Sequence, residues 1–194
     1  MTRRSDLIAV KQFLTESMAN IDIATAVYNE YKNAREIIIK EFFTRVSRRL
    51  KSQRKFQSWE TVYDGGFFIE QYSAYRLRKK TWQSKYDVRI EAFEHGDRML
   101  YGVWRNAGQL KRVQRNNALF QALRQKLPGA KLKARDFFEA EITMDYPEPD
   151  WRQPKVLWRM VNDKKFEVEV ATLLSDLAEM AEEYVDRLMR ERST

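Results

Sequence analysis

The sequence predicts an α+β fold: a mainly antiparallel sheet of about five or six strands, long helices at both ends of the chain and one helix inserted between strands. Three observations carry this expectation. Tyr86, Val88, Ile90 and Ala92 alternate with Asp87, Arg89 and Glu91, the period-2 pattern of a strand with one dry face, and His95-Gly96-Asp97 supplies a turn to an apolar return segment, Met99 to Trp104. Apolar residues three and four apart run through residues 23–54 and again through 171–190, the period of helices that bury one face. Helical and strand patterns come in runs, not in the strict alternation of a parallel βαβ sheet.

Taken in order, Ser5 is placed to cap a first helix reaching about Ala19, with Leu7, Ile8, Phe13, Leu14 and Met18 as its apolar residues. Asn20 to Asp22 interrupts it, and a longer helix follows from about Ile23 to Arg54. Its stripe is Ala24, Val27, Tyr31, Ala34, Ile38 and Phe42, widened by Ile37, Ile39, Phe43 and Val46, so it is expected to pack on a sheet or a second long helix. A homodimer through this helix is the minority alternative. Trp59, Val62 and Tyr63 predict a short strand, Asp64-Gly65-Gly66 a turn, and Phe67 to Ile69 a second strand, whereas Tyr72 to Ser84, aromatic and basic together, is ambiguous.

In the hairpin over Tyr86 to Asn106, the return segment is apolar on both faces and is expected inside the sheet with something packed on each side. Ala107 to Leu127 reads as the inserted helix, with Leu110, Val113, Phe120, Leu123 and Leu127 buried and Pro128-Gly129 as its stop. After a basic loop, Phe138, Ala140, Ile142, Met144 and Tyr146 alternate with Glu139, Glu141, Thr143 and Asp145 as another half-buried strand. The Pro147 to Pro154 loop leads to an expected strand over Val156 to Val161, and Ala171 to Arg190 closes the chain as a helix with Leu174, Leu177, Ala181, Tyr184 and Leu188 on one side. The expectation is a single domain over 1–194, helical over 1–55, with the sheet over 56–194.

Composition narrows the chemistry. There is no cysteine and a single histidine, so a disulfide framework and a thiolate zinc site are excluded, and no cofactor, metal site or catalytic residue is expected. No apolar run approaches the ~20 residues of a membrane span, and the N-terminus lacks a signal-peptide core. A cytoplasmic protein with no membrane partner is the corresponding expectation.

Charge is the strongest functional signal. The net charge is +8, but residues 1–135 hold 28 Lys/Arg and 13 Asp/Glu, a balance of +15, whereas residues 136–194 hold 8 and 15, a balance of −7. Such asymmetry points to a polyanionic partner for the basic part, or to an acidic segment folding back over it. Arg45, Arg48, Arg49, Lys51, Arg54 and Lys55 crowd the end of the second helix. Arg105, Lys111, Arg112, Arg115, Arg124, Lys126, Lys131, Lys133 and Arg135 form a second group, with no acidic residue between Arg105 and Asp136. Clustered cations neutralise phosphates and release counterions, and Trp59, Tyr72, Tyr75 and Trp82 lie among basic residues where they could stack on unpaired bases. Helix C-termini also favour cations through the macrodipole, and aromatic residues fill cores.

Pro149-Asp150, followed by Asp163-Lys164-Lys165, matches the Pro-Asp … Asp/Glu-X-Lys string in which two carboxylates hold Mg²⁺ and a lysine positions the nucleophile. The context is poor: Asp150 sits in a proline-rich loop and Asp163 in Asn-Asp-Lys turn chemistry after its strand. His95 reads as a turn residue. Glu139 and Glu141 share a strand face, and pairing across the sheet with Arg89 or Arg98 is their expected use.

The run Tyr86-Asp87-Val88-Arg89-Ile90-Glu91-Ala92-Phe93-Glu94, then Leu100-Tyr101-Gly102-Val103, with Leu157-Trp158-Arg159 and a terminal acidic helix, resembles the C-terminal region of uncharacterised PD-(D/E)XK-superfamily-like proteins of bacteria and their prophages. The resemblance covers the last two-thirds of the chain. Those proteins carry their nuclease core upstream, where this chain has two helices, so the resemblance implies an accessory module without the catalytic part. It carries over no catalytic residue and argues against an Asp150/Asp163 site. The leading expectation is a non-enzymatic protein binding DNA or RNA, or a nucleic-acid-processing complex, through its basic surface. An interaction or inhibitor module for an acidic protein comes second and a Mg²⁺-dependent nuclease third.

Overall fold

In the computed structural model the described residues are 2–66, 73–83, 85–93, 98–105, 118–126, 132–135, 138–143 and 147–191. They fall into two compact units, Met1–Ile37 and Ile38–Thr194. The first unit comprises α1 (Thr2–Glu16) and the first part of α2 (Met18–Ser52). The break falls at Ser17, ahead of the predicted Asn20–Asp22, because Ser17 caps the second helix. Its carbonyl and its Oγ each accept from the Asn20 amide at 3.2 Å. Asn20 Nδ2 in turn donates to the Phe13 carbonyl at 2.7 Å, satisfying one of the orphan acceptors that end α1.

The second unit is built on a six-stranded, wholly antiparallel sheet: β1 (Glu60–Tyr63), β2 (Ala74–Arg78), β3 (Tyr86–Phe93), β4 (Arg98–Arg105), β5 (Leu132–Arg135) and β6 (Phe138–Thr143), in the order β1-β2-β3-β4-β6-β5. Three helices accompany it: α3 (Ala118–Lys126), α4 (Pro154–Asn162) and α5 (Lys164–Glu191). The fold is α+β, as the residue patterns predict.

The predicted hairpin is the centre of the sheet. β3 and β4 pair without a slip from Tyr86↔Arg105 to Phe93↔Arg98, and Met99, Leu100, Tyr101 and Val103 are all buried, as expected of a strand covered on both faces. One face of the sheet carries the row Tyr63, Tyr75, Ile90, Tyr101, Ile142. Against the apolar core pack α5, which crosses β3 and β4, and the second half of α2, whose Phe43 ring stacks on Tyr75 at 4.4 Å and on Trp151 at 5.9 Å. Phe42 stacks on Phe166 of α5 at 5.2 Å, and each such pair adds about 0.5–1.5 kcal/mol beyond area burial.

Several expectations need correcting. Residues 156–161 form no strand. Gln153 is an extended N-cap and Pro154 stands in the first turn of α4, whose Val156, Leu157 and Met160 are buried at the i, i+1, i+4 spacing of a helix. A short apolar run does not distinguish the two periods. Helix α5 begins well before Ala171, because Asp163 Oδ1 accepts the Lys165 amide at 2.9 Å and caps it. The basic loop holds strand β5, and Tyr72–Ser84 holds β2 and a 3₁₀ turn, Lys80–Trp82. Within β6, Glu141, expected on the wet face, is as buried as Ala140 and Ile142. The Asp64-Gly65-Gly66 turn is present, with both glycines at the positive φ, 79° and 62°, that glycine tolerates without strain. The predicted strand at Phe67–Ile69, the His95-Gly96-Asp97 turn, residues 107–117 of the inserted helix and its Pro128-Gly129 stop lie outside the described residues.

Candidate polyanion interface

The last turns of α2 aim their cations at the start of α5. Apolar Phe42, Phe43, Val46 and Leu50 hold the helix in the core, which places Arg45, Arg48 and Arg49 at the core's margin. With Ser52 from α2, Met160 and Val161 from the end of α4, and Asp163, Lys164 and Glu167 around the first turn of α5, they line a cavity of about 530 Å³. Glu167 lies between two of the arginines: its Oε1 accepts from Arg49 Nε at 3.0 Å, and Arg45 Nε is 3.4 Å from its Oε2. Arg45 also donates through Nη2 to the Met160 carbonyl, which fixes its fork. Arg48 and Lys164 are exposed on the same rim, and among the described residues neither forms an ion pair.

The other predicted cations divide. Lys51 and Arg54 are exposed and have no ion pair among the described residues. Lys55 is answered by α5, its Nζ 3.8 Å from Glu179 and 3.4 Å from Glu182. Arg105 is only 3 % exposed in β4, so it is not available to a ligand. Arg124 and Lys126 are exposed on α3, with Arg124 lying 5.0 Å over the Phe120 ring. Lys126 reaches the neighbourhood of α5: burial and Glu179 push the Asp176 carboxyl above its usual range, against the pull of Lys126. Lys133 and Arg135 lie on β5, while Lys111, Arg112, Arg115 and Lys131 lie outside the described residues. Lys55 of the first group and Lys126 of the second thus lie near the same stretch of α5, where Glu179 and Glu182 meet Lys55.

The expected stacking residues are core. Trp59, Tyr75 and Trp82 are between 0 and 2 % exposed, and Tyr72 is outside the described residues. Burial pushes the Tyr75 phenol up to about 12 while Ser47 Oγ shares a 2.7 Å hydrogen bond with it. Trp82 donates from Nε1 to Asp186 Oδ1 at 2.8 Å, and Lys79 Nζ holds the other oxygen of Asp186 at 2.6 Å. The basic and aromatic run is therefore where the sheet clasps the acidic end of α5.

Neither aspartate of the nuclease-like string is on a strand. Asp150 accepts from Arg152 Nε at 3.1 Å and Gln153 Nε2 at 2.9 Å, and these bonds outweigh burial to hold its carboxyl below the usual range. Asp163 is drawn down chiefly by Arg159, whose Nε donates at 2.9 Å. Arg159 also grips Glu148 at 3.1 Å and Glu169 at 2.9 Å, so these carboxylates serve an ion-pair hub joining the loop to both helices. Among the described residues, no group of three or more His, Cys, Asp or Glu is placed to hold a metal ion.

Pattern reading missed a buried charge row on the other face of the sheet. Asp87, Arg89, Glu91 and Glu141 are all 4 % exposed or less. Arg89 is bound by its own strand neighbours: Nε and Nη2 donate to the two oxygens of Asp87 at 2.6 and 2.7 Å, Nη1 donates to Glu91 at 3.1 Å, and the guanidinium lies 4.0 Å over Trp104. Gly102 stands in register between Arg89 and Glu141, leaving no side chain in the middle of the row. Burial raises the Glu91 carboxyl; Arg89 opposes this, and Asp87 and Glu141 add to it. A charge every second residue was the available signal, but it equally describes a solvated face. No family model matches the chain, and neither a curated protein nor a solved structure does.

Proposed function

We propose that the chain is a non-enzymatic binding protein, of the bacterial or phage type that its hairpin region resembles, and that it holds nucleic acid through the basic end of α2. The observation that carries this reading is the cavity where Arg45, Arg48, Arg49 and Lys164 outnumber Asp163 and Glu167. Guanidinium forks match phosphate oxygens in pairs. Glu167 keeps two of the forks ordered, while Arg48 and Lys164, with Lys51 and Arg54 further along, remain for a phosphate chain.

The test is fluorescence anisotropy with labelled single-stranded and duplex DNA and RNA. Affinity is expected to fall roughly ten- to a hundredfold between about 50 and 200 mM salt, and Arg48→Glu with Lys164→Glu to cut the log–log salt slope by about 1.5 to 2. Arg124→Glu is expected to leave the slope unchanged. Absence of salt-dependent binding to any of these probes at the lower salt overturns the reading. A second reading then takes its place, an acidic protein partner, favoured by the way Glu167 and the Glu179/Glu182 pair already satisfy Arg45, Arg49 and Lys55 within the chain.

A further inference from the structure

The unit Met1–Ile37 differs from the remainder in two independent ways. Among the described residues it exposes eleven large apolar side chains, from 41 % at Ile21 to 70 % at Met18, against three in Ile38–Thr194. It is also electrically neutral, five Lys/Arg against five Asp/Glu, in a chain of +8. The exposed apolar side chains are shared between α1 and α2, and on one face of α2 Val27 and Tyr31 are 64 % and 44 % exposed, an apolar face left to water of the kind that marks a contact surface. Neutrality disfavours nucleic acid and anionic lipid, both of which select surplus cations, and α1 does not pack back along α2 to cover it.

The α2 stripe identifies the occupant. Ala24, Val27, Tyr31 and Ala34 read small, large, large, small, at spacings of three, four and three. Reversed, the stripe keeps both its spacing and its order of sizes. An antiparallel two-fold therefore sets Ala24 against Ala34 and Val27 against Tyr31 in matched layers, the self-complementarity that an isologous interface requires. We infer that a second copy of this chain covers this surface, the two stripes crossing antiparallel.

The full-length chain is expected to sediment with twice its sequence mass at micromolar concentration. Val27→Glu with Tyr31→Glu, both exposed in one copy, is expected to weaken the dimer at least tenfold and return the mass of one chain while the thermal unfolding of the sheet unit stays in place. Because the chain has no cysteine, chains carrying Ala24→Cys and Ala34→Cys can be mixed and oxidised. Linkage of position 24 in one copy to position 34 in the other is expected to predominate over 24-to-24. A one-chain mass at high micromolar concentration overturns the inference, whether or not neutral vesicles bind, as does a dimer indifferent to the double substitution or one that links 24 to 24.

Discussion

Helix α2 meets two different surroundings along one unbroken backbone. Residues 18–37 and 38–52 carry apolar side chains at the same spacing of three and four, yet Val27 and Tyr31 are 64 % and 44 % exposed whereas Ile39, Phe42 and Val46 are fully buried. The difference is in what surrounds the helix. Phe42 and Phe43 meet Tyr75, Trp151 and Phe166, rings supplied by β2, the proline-rich loop and α5. Periodicity records that a helix has a face to hide; it does not say which element hides it.

The sharpest way to break this comparison is truncation on each side of it. Phe42→Ala is expected to cost about 3–5 kcal/mol in urea unfolding of the sheet unit. Tyr31→Ala, measured at a concentration low enough to separate copies, is expected to shift it by no more than about 0.5 kcal/mol. Equal losses would erase the distinction.

Alkaline titration sharpens the buried side. The Tyr75 phenol, against α2, is pushed up to about 12 by burial, from its ordinary 10. Between those values the folded chain holds a proton that the unfolded chain has released, so stability falls as pH rises from 10 to 12. The expected loss is about 2–3 kcal/mol. Tyr75→Phe is expected to flatten that slope in unfolding measured across the range, and an unchanged slope would assign it to other groups.

The smallest effect falls at the other end of the helix. Ser17→Ala removes the side-chain acceptor that caps α2 and is expected to cost about 1 kcal/mol locally. Faster amide exchange over residues 18–21 would register it, with no change in the unfolding of the sheet unit.

The hairpin and the closing helix were legible because Tyr86 to Ala92 and Leu174 to Leu188 each repeat one period long enough to exclude the other. Val156 to Val161 was too short for that, and Pro154 reads equally well as a loop residue or a helix start. The basic end of α2 was legible as a cluster because Arg45, Arg48 and Arg49 lie within one turn of a recognisable helix. That Arg105 would be buried, Trp59 and Trp82 enclosed and Lys55 claimed by α5 depends on which strands and helices come together, which local spacing does not encode.

Trp82 joins its indole nitrogen to Asp186 and stands edge-on to Trp59 at 5.1 Å. The far end of the closing helix is therefore wired to a fluorophore in a dry setting. Any event that lifts those final turns, such as a ligand competing for the carboxylates, would admit water to the indole and redden its emission, so the native chain carries its own optical gauge of whether that helix is seated.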